Sequence, residues 1–177
     1  VIGAGRLGIC FALLCEQAGY DVLVSDVRED YVKNLRNKFI STNEPEVSKL
    51  LSTSPRLSAT TSNTKVIREC DIIYTLVATP SKKDGSYDVS AVWDVVEDFK
   101  KVKNVEGKAF IVGCTTNPGD CVEFQKELKD MGVDVFYNPE FIAQGTIIKD
   151  LRRADMVLIG GKRNETYDQL CELYNRI

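Results

Sequence analysis

Three glycines near the N-terminus have the spacing a diphosphate needs. Gly3-Ala4-Gly5-Arg6-Leu7-Gly8 is a G-x-G-x-x-G run. Gly3 suits a tight turn, Gly5 leaves room for a pyrophosphate to approach the backbone, and Gly8 lets a helix pack close to a sheet. The free amides of a helix opening at Arg6 and Leu7 would then face the phosphates. Asp26 closes the next apolar run. A carboxylate at that interval accepts hydrogen bonds from the adenosine ribose and repels a 2′-phosphate, so the expected cofactor is NAD and not NADP. The competing readings are a plain glycine turn and a helix-capping aspartate. A strand before the glycines and a helix after them favour the cofactor. Arg28 is near enough in sequence to soften the discrimination.

Further reactive side chains follow later apolar runs. Thr79-Pro80 follows Ile72–Val77, Thr115 follows Ala109–Gly113, and Asn138-Pro139-Glu140-Phe141 follows Val133–Phe136. Threonines at strand ends either satisfy backbone groups or offer a hydroxyl to a ligand. Glu140 either caps a helix, forms a surface ion pair or, placed after a strand end between Pro139 and Phe141, serves a function. Cys114 also ends a strand, but nothing basic lies beside it and the chain has no histidine to activate it.

These loops need a scaffold. Short β-branched runs alternate with amphipathic stretches along the whole length. Strands are expected at Val1-Ile2, Asp21–Ser25, Leu57–Thr60, Ile72–Val77, Ala109–Gly113, Val133–Phe136 and Met156–Ile159. Helices are expected at residues 6–19 (closed by Gly19), Glu29–Phe39, Pro45–Leu51, Lys65–Cys70, Val89–Val102, Cys121–Met131 and Tyr167–Ile177. Alternating β and α elements imply an α/β fold: a Rossmann-like, doubly wound, mostly parallel sheet covered on both faces. Ligands collect at the carboxyl ends of such strands, where the reactive residues fall.

Composition narrows the field. The chain has 177 residues, a net charge of −3 and 44% hydrophobic residues, the profile of one globular domain. Mild acidity argues against a nucleic-acid partner, and no apolar run is long enough for a membrane span. The absence of histidine and of any CxxC pair leaves no metal site to expect. Six cysteines without a scaffold pattern read as reduced core residues, which points to the cytoplasm. The chain opens at Val1 with only a stub of strand and ends within a helical pattern, so it reads as a domain truncated at both ends.

In order, these segments resemble the N-terminal domain of the UDP-glucose/GDP-mannose dehydrogenase family. The resemblance rests on the glycine run, Thr79-Pro80-Ser81 with Asp84-Gly85-Ser86, Thr115-Thr116-Asn117-Pro118-Gly119, and the stretch from Asn138 to Asp150. Glu44-Pro45 is similar to the family's E-P-G-L element. Gln144 replaces a usual glutamate, Glu46 a glycine, and Thr116-Asn117 a Val-Pro pair. The resemblance implies NAD-dependent oxidation of a nucleotide sugar at C6 to a carboxylate, UDP-glucose to UDP-glucuronate being the expected case. It implies cofactor contacts from Gly3, Gly5, Arg6, Leu7, Gly8, Asp26, Thr79, Pro80 and Thr115. Glu140 and Thr115 would be catalytic, and Phe141, Ile142, Ala143 and Gln144 would meet the substrate. The family's catalytic cysteine and lysine, and a homo-oligomer interface, would belong to a central domain beyond residue 177, followed by a C-terminal domain. Two other functions remain open: another NAD-dependent hydroxy-acid dehydrogenase, and a non-catalytic NAD-binding module.

Overall fold

The computed structural model describes residues 1–177. In chain order the elements are α1 (Arg6–Gln17), β1 (Val22–Ser25), α2 (Glu29–Arg36), α3 (Val47–Ser52), β2 (Leu57–Thr60), α4 (Asn63–Glu69) and β3 (Ile72–Thr75). They continue with α5 (Ser90–Lys100), β4 (Ala109–Val112), α6 (Asp120–Leu128), β5 (Asp134–Tyr137), α7 (Ile147–Arg152) and α8 (Glu165–Arg176). β1 pairs with β2, and β3 with β4 and β4 with β5, all in parallel. Ile2 joins the two groups through parallel bridges to Ser25 and Thr75. Its amide donates to the Tyr74 carbonyl at 2.7 Å, and its carbonyl accepts from Leu76 at 2.8 Å. The spatial order is therefore β2, β1, Ile2, β3, β4, β5. That is the doubly wound order, with its switch point at the glycine turn.

Strand residues sort by the period of two onto opposite faces. Val24, Tyr74, Ile111 and Phe136 join a cluster with α1, α3, α7 and α8, whereas Leu23, Ile73, Phe110, Val112 and Val135 join one with α4, α5 and α6. Helix α1 is buried from Gly8 to Glu16 and apolar from Ile9 to Cys15, because it lies under α3 and α7 as well as on the sheet. Gly19 ends this first turn of the fold as expected: at φ +105° it supplies a left-handed position after the helix.

One local expectation is corrected and one helix is added. Met156–Ile159 is not a strand; only Gly160 bridges the fold there, antiparallel to Tyr137. Met156, Val157 and Leu158 are exposed, so the run has no second layer to bury its side chains. The segment Ile147–Arg152, to which the sequence periodicity assigns no element, is a helix of six residues.

Candidate cofactor and substrate site

The glycine run folds as its chemistry requires. Gly3 sits at φ +90°, and a Cβ there would lie 2.5 Å from the Leu76 carbonyl oxygen. A Cβ on Gly8 would lie 1.9 Å from the Gly3 carbonyl oxygen, so Gly8 is small for the turn as well as for the sheet. Gly5 differs: nothing lies within 4 Å of its virtual Cβ. The space it leaves open faces outward, where a diphosphate would enter. The amides of Arg6, Leu7 and Gly8 have no backbone partner, and no acidic side chain occupies the first turn of α1. This cradle fits a dinucleotide pyrophosphate. Leu76, which sequence reasoning passed over, is the residue these glycines accommodate; it also lies 2.6 Å from where a Cβ of Gly113 would be.

Asp26 directly follows β1, with its side chain only 8% exposed. Arg28 grips it in a bidentate pair, Nε to Oδ1 at 2.8 Å and a terminal nitrogen to Oδ2 at 2.9 Å. Burial raises the carboxyl pKa, but the Arg28 hydrogen bonds and charge outweigh it and hold the group below its ordinary value. The Arg28 guanidinium also stacks 4.1 Å from the Tyr31 ring centroid. Arg28 therefore does more than its distance along the chain suggested: it screens the carboxylate directly.

Thr79 is half-buried, Pro80 and Thr115 are exposed, and neither threonine hydroxyl bonds to the protein. Asn117 fixes the turn that carries Thr115 against the loop that carries Thr79. Its Oδ1 accepts from the Tyr87 amide at 2.7 Å, and its Nδ2 donates to the Tyr87 carbonyl at 3.0 Å. The substitution of Asn for the resembled family's proline thus supplies a strap between two site loops. Cys114 is buried, and burial pushes its thiol up to about 11, which leaves it protonated and unreactive. All six cysteines are free.

The loop after β5 is tied to the glycine turn by charge. Arg6 donates to Gln144 Oε1 at 2.5 Å and lies 3.9 Å from Glu44 Oε1. The Glu44 side chain is 3% exposed and accepts from the amides of Gly145 at 2.7 Å and Ile147 at 3.4 Å. A carboxylate buried so deeply requires such donors, and these hold the start of α7. Sequence reading noticed Glu44 only as part of a resemblance. Phe141 is exposed, Ile142 packs partly into the core, and Ala143 donates from its amide to Asp150 Oδ2 at 3.0 Å. Glu140 points away from this rim, is half-buried, and hydrogen-bonds Tyr174 of α8. Burial raises its pKa, offset only in part by the tyrosine hydroxyl. Glu140 and Thr115 share no hydrogen bond; they stand on neighbouring loops after β5 and β4.

Comparison with known proteins agrees with this fold. Residues 1–177 match the UDP-glucose/GDP-mannose dehydrogenase family, NAD binding domain. An uncharacterized protein of Methanocaldococcus jannaschii is 32% identical over 90% of this chain and 18% of its own length. A UDP-glucose 6-dehydrogenase of Haloferax volcanii is 26% identical, covering 98% of this chain and 43% of its own. A crystal structure of a ternary complex of GDP-mannose dehydrogenase from Pseudomonas aeruginosa superposes with a TM-score of 0.90 at 26% identity, covering 99% of this chain and 43% of that one. The chain thus spans less than half the length of these relatives. No helix is long and apolar enough to cross a membrane.

Proposed function

The chain belongs to the UDP-glucose/GDP-mannose dehydrogenase family as its NAD-binding domain, and from that premise we propose that it is the cofactor half of a nucleotide-sugar 6-dehydrogenase acting on UDP-glucose. The observation that carries this reading is the junction at Arg6. One guanidinium links the first turn of the cofactor helix to Gln144 and Glu44, and so to the loop that bears Glu140. Cofactor and sugar loops are thereby built as one unit. UDP-glucose is put first because several sequence relatives matched over 98% of this chain are named UDP-glucose 6-dehydrogenases; the GDP-mannose dehydrogenase structure has equal coverage, so both sugars enter the test.

Bound NAD supplies a hydride acceptor for C6 of the sugar. The amides of Arg6, Leu7 and Gly8 would hold the pyrophosphate, Asp26 would accept from the adenosine ribose, and Thr79 with Pro80 would flank the dinucleotide. Thr115 holds a water or sugar hydroxyl. Phe141, Ile142, Ala143 and Gln144 form the rim against the nucleotide sugar. Glu140 takes the proton of the water that hydrolyses a thioester, a role worth about 10²–10⁴-fold. The thioester cysteine belongs to a central domain outside residues 1–177, as does the surface for a homo-oligomer. The free cysteines fit a reducing compartment such as the cytoplasm.

Steady-state assays of the enzyme bearing this domain, with UDP-glucose, GDP-mannose and a UDP-N-acetylhexosamine, test the proposal. Two NADH per UDP-glucose and a carboxylate product are expected. One NADH per substrate would instead mark a simple hydroxy-acid dehydrogenase, and no NADH a binding module.

A further inference from the structure

Behind the loop that follows β5, a polar cluster lies buried on the α1 side of the sheet. Tyr74 of β3 donates to Asn138 Oδ1 at 2.9 Å, and Tyr174 of α8 lies 2.7 Å from the same oxygen. Asn138 Nδ2 donates to the Leu158 carbonyl at 2.8 Å. Tyr174 also hydrogen-bonds Glu140 Oε1. Asn138 is 1% exposed and Tyr74 4%. Phe11 of α1 covers both tyrosines, with ring centroids at 4.5 and 6.3 Å.

The hydrogens can be counted. Three hydrogen bonds join oxygens of the cluster, Tyr74 with Asn138, Tyr174 with Asn138, and Tyr174 with Glu140, and the two tyrosine hydroxyls also interact with each other. Each of the three bonds needs one hydrogen between its oxygens, and each tyrosine hydroxyl owns one. With Glu140 ionised, two hydrogens serve three contacts. With Glu140 protonated, three serve three. Turning the Asn138 amide over does not repair the deficit, because Oδ1 would then face the Leu158 carbonyl with no hydrogen between them.

We propose that Tyr174 is a positioning residue for proton transfer at Glu140, its one hydroxyl hydrogen turning to Asn138 when Glu140 holds a proton and to Glu140 when it does not. The inference rests on reading Glu140 as the acid–base group of the site. When Glu140 takes a proton, that proton is donated to Tyr174 Oη, and the tyrosine hydrogen completes the bond to Asn138. When Glu140 gives the proton up, the tyrosine hydrogen swings back to the carboxylate, and the contact with Asn138 is left bare. Glu140 thus passes between two states that each retain a donor for its charge or an acceptor for its proton. The titratable groups around it are Tyr174 on α8, Tyr74 on β3 and Cys15 on α1. No lysine or arginine acts on it, so burial raises its pKa with only the tyrosine hydroxyl in opposition.

The test is a carbon-13 NMR titration of the Glu140 carboxyl in the 177-residue chain, with the resonance assigned through Glu140→Gln. The wild-type midpoint is expected above the ordinary value of about 4.3. Tyr174→Phe removes the donor to the anion and should raise the midpoint further, by about one pH unit. The double variant Tyr74→Phe/Asn138→Leu replaces both interior partners with apolar groups. It frees the Tyr174 hydrogen for Glu140 and should lower the midpoint below that of wild type. Opposite shifts are the signature of a shared hydrogen. A wild-type midpoint at or below the ordinary value, shifts of the same sign, or no shift in either variant would overturn the proposal. Should the double variant unfold, Tyr174→Phe alone decides, a midpoint that does not rise overturning the proposal. Normal turnover of a Glu140→Gln enzyme would remove the acid–base reading alone and leave this titration as it stands.

Discussion

Replacing Asp26 with asparagine should reverse cofactor preference, and the reason lies in Arg28. In the native site a 2′-phosphate would meet the Asp26 carboxylate. At about 5 Å and an effective dielectric near 20, that repulsion is roughly 3 kcal/mol per unit charge. The guanidinium, paired to both carboxylate oxygens at 2.8 and 2.9 Å, stands only a little farther off and returns most of it. The net preference for NAD is then about 1–2 kcal/mol, or roughly five- to thirtyfold. In Asp26→Asn the repulsion vanishes and the attraction of Arg28 stays, worth about 2 kcal/mol to a phosphate at roughly 7 Å. NAD itself should bind about tenfold more weakly, since a neutral amide accepts less strongly from the ribose than a carboxylate. Calorimetric titration of both chains with NAD and NADP reads all four affinities. An unchanged NAD-to-NADP ratio in Asp26→Asn would refute the placement of this pair at the ribose.

Two further outcomes follow from buried groups. Glu140 has its pKa raised by folding, so between the ordinary carboxylate value and the raised one the folded chain binds more protons than the unfolded chain, and stability falls as pH rises through that window. Glu140→Gln escapes this loss: urea unfolding should find it more stable than wild type at pH 8 and nearly equal in acid, and equal stability at pH 8 would count against the shift. Thr75 lies fully buried in the sheet with its hydroxyl unpartnered. Thr75→Val should therefore gain about 1 kcal/mol, seen as a higher urea midpoint, whereas a clear loss would reveal a partner for that hydroxyl.

Sequence periodicity reached the elements whose cause is local. β4 could be read because Ala109 to Val112 is apolar on both faces, and a doubly covered strand has no other option. Gly3 and Gly8 could be read because each lacks a side chain for a reason the turn itself dictates, and Gly5 because its spacing completes the run. Met156–Ile159 has the same composition as a strand but no layer above it, and composition says nothing about neighbours. The helix α7 was missed because its first turn depends on Glu44, a carboxylate 101 residues from Gly145. Tyr174 carries no motif at all; only the packing of α8 against α1 and β3 brings its hydroxyl to Glu140. The bidentate grip of Arg28 on Asp26 could be suspected from an interval of two residues, but its geometry could not.

The central claim, that the open turn over Gly5 holds the NAD pyrophosphate, is tested most directly by calorimetric titration of NAD into the native chain and into Gly5→Ala. Gly5 sits at φ −62°, and no atom lies within 4 Å of the added methyl. The variant should therefore fold as stably as the native chain, unlike Gly8→Ala, whose methyl would lie 1.9 Å from the Gly3 carbonyl oxygen. Saturable binding to the native chain and affinity at least about tenfold weaker in Gly5→Ala, a loss of about 1.4 kcal/mol or more, are expected. Equal affinity in the two chains, or no binding to the native one, would contradict the account.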